Sequence, residues 1–210
     1  MGKPPTAQPA FPVQYRLAPN FLTRCNHALQ HRRGGQMKIL LSQHEIRAGV
    51  SRLAGEIADV YGDRPVTIVG VLTGSIVLLA DLIRHLCMPL RVGLLQTRSY
   101  RGADTRPGEL IMNPDLFPDV AGRDVLLIDD IFDTGHTLAA LVAQLDRLGA
   151  ATIRSAVLLR KSGRQEVSLD PEFVAFEIPD CFVVGYGLDH NDLYRNLPHI
   201  AALEAADIDP

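Results

Sequence analysis

The stretch Val125-Leu-Leu-Ile-Asp-Asp-Ile-Phe-Asp-Thr-Gly-His-Thr-Leu138 decides the fold. It opens as an apolar run, Val125–Asp129, with no polar alternation. Such a run suits a strand covered on both faces, as in a parallel sheet. The strand ends in two adjacent acids, Asp129 and Asp130. A third acid, Asp133, opens the tight loop Asp133-Thr134-Gly135-His136-Thr137. A helix follows at once, with Leu138, Leu141, Val142, Leu145 and Leu148 on one face and Gly149 as its stop. In open α/β sheets, ligands bind at the carboxyl ends of strands.

This loop presents consecutive backbone N–H groups, two hydroxyls and the positive end of a helix, which together suit a phosphate dianion. Gly135 lets the backbone approach it closely. Carboxylates would repel a bare phosphate. They make sense beside one if the ligand also carries vicinal hydroxyls, a divalent cation, or a carbon that becomes positive. An activated ribose phosphate has all three. Solvated turn residues with a helix cap would account for any one of these acids, but poorly for three acids, a glycine and two threonines together. Asp133-Thr134-Gly135 also matches the aspartic-protease tripeptide, yet that family is all-β and its tripeptide does not lead into a leucine-rich helix. The chain has no GxxxxGK[ST], and Gly185-Tyr186-Gly187 lacks both a third glycine and a following helix.

Working outward, Ser42-Gln43-His44-Glu45 fits a capping box, followed by Ile46, Val50, Leu53, Ile57 and Val60 at helical spacing up to Gly62 and Pro65. Val66–Leu72 reads as a second buried strand and Thr73-Gly74-Ser75 as a turn. Ile76, Leu79, Ala80, Ile83 and Leu86 then read as an amphipathic helix, and Leu90–Gln96 as a strand. Arg98–Pro118 is rich in glycine, proline and charge and is expected to be a mobile loop with a short hairpin. Thr152–Leu159, Phe173–Ile178 and Phe182–Tyr186 supply further strands. Strand and helix alternate, so the expected class is α/β with a mostly parallel sheet flanked by helices.

Composition sets the bounds. The chain has 210 residues and is 47% hydrophobic, enough for one substantial core, and its net charge of −3 gives no reason to expect nucleic-acid binding. The charge is uneven. Of the 21 basic residues, six precede the first acid, Glu45, leaving 15 against 24 acidic residues, a net of −9 for the remainder. The early segment holds Pro4, Pro5, Pro9, Pro12 and Pro19 and no sustained period, so residues 1–37 are expected to be a disordered extension and 38–210 the folded domain. Cys25, Cys87 and Cys181 are odd in number and far apart, which suits free thiols in a reducing cytoplasm. The uncharged run Val66–Ala80 falls short of the ~20 residues of a membrane span, and no membrane association is expected.

Val125–Leu138 closely resembles the phosphoribosyl diphosphate signature of type I phosphoribosyltransferases. Val71-Leu72-Thr73-Gly74-Ser75 looks like that family's pyrophosphate loop, and Arg98-Ser99-Tyr100 like the Ser-Tyr of its flexible catalytic loop. Leu158-Leu159-Arg160-Lys161 looks like the strand end that carries its purine-contacting lysine. Ile178-Pro-Asp-Cys-Phe-Val-Val-Gly-Tyr-Gly-Leu-Asp189, through Tyr194-Arg195-Asn196-Leu197-Pro198, is similar to the C-terminal region of the hypoxanthine-guanine members. The resemblance runs from about Ser42 to Ile200 and leaves the first forty residues unmatched. It implies the type I fold, with a small hood and a flexible loop. It also implies a homodimer or homotetramer, Mg²⁺ as cofactor, and phosphoribosyl diphosphate with a 6-oxopurine as substrates.

The roles it implies are specific. Asp129 and Asp130 hold the ribose hydroxyls, directly or through Mg²⁺. Asp133, Thr134, Gly135, His136 and Thr137 hold the 5-phosphate, and Asp133 is the acid/base group near purine N7. Lys161 donates to the base's O6, Phe182 stacks on the purine, and the Val183 backbone reads its edge. Asp189 ligates a second Mg²⁺. Thr73, Gly74 and Arg195 take the pyrophosphate, with Arg164 a weaker candidate, while Ser99 and Tyr100 close over the site. Three positions depart from the family's common pattern: Thr73 replaces a basic residue, Asp129 a glutamate, and His136 a lysine or asparagine. A regulatory protein on the same fold would need a basic nucleic-acid face, which a body of net −9 does not offer. Orotate and uracil phosphoribosyltransferases lack the Ile178–Asp189 pattern.

Overall fold

A computed structural model describes residues 37–96, 98–99, 110–111 and 118–204. Its centre is a five-stranded parallel sheet of β2 (Val66–Leu72), β3 (Leu90–Gln96), β6 (Asp124–Phe132), β7 (Thr152–Lys161) and β8 (Phe173–Ile178), in the order β3-β2-β6-β7-β8. Because side chains alternate along a strand, each strand serves both faces. Ile68, Leu126, Ile128 and Leu158 join one core with helix α1 (Gln43–Tyr61) and helix α2 (Ile76–Leu82). Val69, Val71, Val125, Leu127 and Val157 join the other with helix α3 (His136–Arg147). Helices thus cover both faces, which is why the strands read as continuous apolar runs.

The capping box at the start of α1 forms in full. Glu45 N–H donates to Ser42 Oγ at 3.3 Å, and Ser42 N–H to Glu45 Oε2 at 2.8 Å. Burying Ile46, Val50, Leu53 and Ile57 then fixes α1 on the sheet. Gly49 lies against β8, where a Cβ would overlap the Phe176 ring.

The second helix differs from its sequence reading. It ends at Leu82 and buries Leu78, Leu79 and Leu82, while Ile76 is 45% exposed. Tight turns through Arg84 and His85 follow Leu82, so the chain leaves the helix before Leu86 can extend the stripe. Two strands run past their expected ends, β6 to Phe132 and β7 to Lys161. The expected strand Phe182–Tyr186 shrinks to β9 (Val183–Val184), because Gly185, Tyr186 and Gly187 all have positive φ.

The sequence gives no warning of β1 (Lys38–Leu41) or β10 (Ile200–Ala202). They pair antiparallel with each other, and β10 pairs with β9, making a three-stranded sheet that corresponds to the expected hood. Of Arg98–Pro118, β4 (Arg98–Ser99) and β5 (Leu110–Ile111) pair antiparallel as the expected short hairpin. Tyr100 and the expected extension up to Gln36 lie outside the described residues. Cys87 and Cys181 are free thiols. Among the described residues no helix is long and apolar enough to cross a membrane.

Removing the cap is a direct test of how α1 is anchored. Ser42→Ala should lower unfolding free energy by about 1 kcal/mol, read as a lower urea midpoint at unchanged slope.

Candidate active site

At the carboxyl ends of β2 and β6 lies a cavity of about 420 Å³ lined by, among others, Thr73, Gly74, Asp129, Asp130, Asp133 and Arg195. Thr134, Gly135, Thr137 and Asp189 complete its polar wall. Its floor is the turn after β6. Gly135 is the N-cap of α3 with φ 89°, and no side chain caps the helix. The first backbone N–H groups of a helix have no partner within it, so these donors face outward for a ligand. Only glycine fits: the φ is left-handed, and a Cβ would overlap Val167 and approach the Phe132 ring to 2.8 Å. The Thr134 carbonyl accepts from Glu166 N–H at 3.0 Å, which ties the loop to the segment after β7.

Opposite this floor, the Leu72–Thr73 peptide is cis. Gly74 packs against the Asp130 carboxylate so closely that any Cβ would overlap it. Asp130 N–H donates to Asp129 Oδ1 at 3.0 Å, and Ile131 N–H to Asp130 Oδ1 at 2.8 Å. Neither acid has an ion-pair partner among the described residues. Burial first, then the charge of Asp130, pushes Asp129 well above the ordinary carboxylate range. Burial also raises Asp130, against the hydrogen bonds from Asp129 and Ile131 and the more distant charge of Arg195.

Asp133 sits in a different electrostatic setting. Lys161 Nζ lies 3.1 Å from Asp133 Oδ2 and 3.3 Å from Asp180 Oδ1. Arg164 Nε lies 3.0 Å from Asp133 Oδ1, and its Nη1 3.5 Å from Asp180 Oδ2. Two cations and two carboxylates therefore form one cluster around a lysine only 9% exposed. Partial burial pushes Asp133 up, but the hydrogen bonds from Arg164 and Lys161 outweigh it and hold the carboxyl below its usual range. At neutral pH it is ionised and can accept a proton.

Arg195 spans the far wall. Its Nη2 is 2.7 Å from Asp189 Oδ1, and its Nη1 donates to the Gly187 carbonyl at 2.9 Å. Asp189 is also fixed by Asp192 N–H at 2.9 Å.

Among the described residues, His136, Lys161, Phe182 and Val183 are expected site residues that do not line the cavity. His136 turns outward, with Nε2 2.9 Å from Glu166 Oε2 and both side chains exposed. Lys161 joins through Asp133. Phe182 keeps 40% of its surface exposed and meets His190 edge-on at 5.3 Å. Val183 is buried in β9. Leu203 N–H donates to the Phe182 carbonyl, so by the alternation of an antiparallel ladder the Val183 peptide groups point away from β10. Ser99 lies in the β4–β5 ladder.

Sequence reasoning missed Asp180 and gave Arg164 little weight. Their signal is the sheet register: Lys161 pairs with Ile178, which sets Asp180 just beyond the end of the neighbouring strand.

The chain matches a known family over most of its length. Residues 36–191 match the family described as "Phosphoribosyl transferase domain". The chain is 40% identical over 169 residues to a hypoxanthine-guanine phosphoribosyltransferase of Bacillus subtilis, covering 80% of this chain and 94% of that protein. It is 38% identical over 173 residues to the Aquifex aeolicus protein of the same name, covering 82% and 97%. Among solved structures, a hypoxanthine-guanine phosphoribosyltransferase from Bacillus anthracis aligns with TM-score 0.75 at 33% identity, over 80% of this chain and 98% of that one. The Trypanosoma cruzi hypoxanthine phosphoribosyltransferase in complex with the product IMP aligns with TM-score 0.74 at 36% identity, over 80% and 95%.

The buried acid pair generates a stability prediction whose sign follows from its raised position. Between the ordinary and the raised value, the folded state binds more protons at Asp129 than the unfolded chain does. Stability therefore falls as pH rises through that interval and is unaffected below it. Asp129→Asn keeps the acceptor for Asp130 N–H and removes the charge. At pH 7.5 it should melt higher than the parent, a gain of ~1 kcal/mol registering as ~2–4 °C, and the difference should vanish near pH 4. Thermal melts across that range check it.

Proposed function

The chain belongs to the hypoxanthine-guanine phosphoribosyltransferases, within the type I phosphoribosyltransferase family, and from that premise we propose that it is a purine salvage enzyme. It transfers the 5-phosphoribosyl group from phosphoribosyl diphosphate to hypoxanthine, and also to guanine, giving IMP or GMP and pyrophosphate. The observation that carries this reading is the pairing of Lys161 with Asp133, 3.1 Å apart, at the edge of the phosphate-cradling loop. A hydrogen-bond donor for a purine oxygen and an ionised carboxylate for a purine proton stand together where the base must meet the sugar.

The geometry supports the following roles. The Gly135–Thr137 amides and the hydroxyls of Thr134 and Thr137 bind the 5-phosphate, with His136 contributing its backbone. Asp129 and Asp130 hold the ribose hydroxyls. Asp133 accepts the purine proton as N9 attacks C1, so the pair of electrons leaving with pyrophosphate is matched by the one that N9 donates. Lys161 donates to O6. Adenine carries a donor there, and two donors facing each other go unpaired, so the site rejects it. Phe182 offers its exposed face to the base, and the outward-pointing peptide groups of Val183 read its edge. Thr73, Gly74 and Arg195 receive the pyrophosphate, Arg195 through its planar fork. Ser99 and Tyr100 are assigned to closure over the site and exclusion of water.

The residues present also suit Mg²⁺. Two adjacent carboxylates, one buried and one partly buried, both raised and without an ion-pair partner among the described residues, fit a hard divalent ion. Among the described residues no three acidic, histidine or cysteine groups converge to cage a metal. That agrees with an ion that keeps its waters and is held partly by substrate oxygens. Asp129 and Asp130 would hold one ion and Asp189 a second, and when bound these ions would neutralise charge on the diphosphate and leaving group. The same reading assigns the catalytic domain to residues 38–210, places the reaction in the cytoplasm, and has the enzyme act as a homodimer or homotetramer.

The deciding assay is turnover with Mg²⁺, phosphoribosyl diphosphate and each of hypoxanthine, guanine, xanthine and adenine. Hypoxanthine should give IMP and adenine should give nothing; absence of product with every 6-oxopurine would overturn the reading. Asp133→Asn should lower kcat by about 10²-fold or more while IMP binding changes little. An unchanged kcat would exclude Asp133 as the acid/base group.

A further inference from the structure

The turn Gly185-Tyr186-Gly187 stands between two parts of the proposed pyrophosphate site. On one side, Gly187 N–H donates to the Arg195 carbonyl at 3.0 Å, and the Arg195 guanidinium returns a bond to the Gly187 carbonyl at 2.9 Å. On the other, Gly187 (φ 103°) lies so close to the Gly74 carbonyl that a Cβ would overlap it. The position of this turn therefore fixes how far Arg195 stands from the Thr73-Gly74 loop.

Tyr186 is the residue that holds the turn. It is 7% exposed and carries φ 48°, a left-handed conformation that a bulky side chain seldom adopts. Its N–H donates to the Leu197 carbonyl at 2.9 Å. Its hydroxyl reaches across to α2 and donates to Asp81 Oδ2 at 2.7 Å. Helix α2 begins directly after the Thr73-Gly74 loop. Ser75, wholly buried, locks that junction by donating through Oγ to the Val71 carbonyl at 2.6 Å. One phenol hydroxyl thus ties the segment carrying Arg195 to the helix that follows Gly74.

We propose that Tyr186, through its bond to Asp81, is a positioning residue that sets the spacing between the Thr73-Gly74 loop and Arg195 and thereby the affinity for the diphosphate of the activated sugar. The inference rests on the functional reading above for the identity of that ligand. Burial, then the bond to Asp81, pushes the Tyr186 phenol up, so the hydroxyl remains a donor across the neutral range. The other side of the bond opens onto a second cavity of about 630 Å³, which Arg195 also lines. The Asp81 side chain is partly solvated there and shares its other oxygen with Arg84 at 3.4 Å. Loss of the tyrosine hydroxyl therefore leaves a hydrated carboxylate rather than a stranded one, and the fold should survive it.

The experiment uses the full chain and two readouts: steady-state kinetics for each substrate, and calorimetric binding of phosphoribosyl diphosphate with Mg²⁺. In Tyr186→Phe, KM and Kd for phosphoribosyl diphosphate should rise about three- to tenfold, the worth of one hydrogen bond, while KM for hypoxanthine stays within about twofold. Asp81→Ala should repeat the effect, Asp81→Asn, which still offers an acceptor oxygen, should restore it, and Tyr186→Phe combined with Asp81→Ala should be no worse than either alone. An unchanged Kd in both Tyr186→Phe and Asp81→Ala, or an equal rise in the KM of both substrates, would overturn the inference. If one variant fails to fold, the other tests the same bond. A parent protein that binds phosphoribosyl diphosphate yet forms no nucleotide defeats the functional reading alone, because the binding arm still decides the spacing.

Discussion

The site depends on one close approach, the Asp130 carboxylate against the Cα of Gly74. Strand β6 delivers two consecutive acids to its carboxyl end, and β2, its neighbour in the sheet, must pass beside them. A side chain on Gly74 would occupy the carboxylate's place. Backbone contact at this point lets the β2 and β6 loops share one cavity. It also leaves the acids desolvated and, among the described residues, without an ion-pair partner, so both are raised above the ordinary range. Two like charges side by side in a partly buried setting are unfavourable in isolation. A ligand bearing hydroxyls or a divalent cation would offset that repulsion.

That contact sits within a scaffold that was largely legible from the chain. Val66–Leu72 and Val125–Asp129 contain no polar alternation because helices cover both faces, and the capping box at Ser42 and Glu45 marks where α1 begins. Local chemistry of that kind survives folding intact. Pairings between distant segments leave no comparable trace. Strands β1 and β10 are too short to show a period and exist because each supplies the other's hydrogen bonds. The Phe182–Tyr186 run looks like a strand by composition, but three successive positive φ values end it after Val184, since the turn must reach both Gly74 and Arg195.

The site shows the same division. The phosphate loop and the acid pair were readable because each lies at a strand end in a compact motif, whereas Lys161 was singled out only through the family resemblance. Asp180 was not, although it shares Lys161 almost equally with Asp133. Its position follows from the parallel register of β7 and β8, which a single sequence does not reveal. His136 illustrates the opposite case. The loop motif places it with the phosphate ligands, yet its side chain turns to Glu166 and only its backbone remains for the anion.

The four-charge cluster explains how Asp133 can be both well held and available. A carboxylate bonded to Lys161 and Arg164 is kept ionised, which a proton acceptor requires, but those same cations compete with any proton it would take. Removing the carboxylate from a nearly buried ammonium would ordinarily be costly, because the lysine would be left unpaired. Here Lys161 lies 3.3 Å from Asp180, and Arg164 also reaches that carboxylate, so both cations would retain a counter-ion without Asp133. Under the proposed roles, base recognition and proton transfer would share one cluster, because Lys161 and Asp133 are bonded to each other.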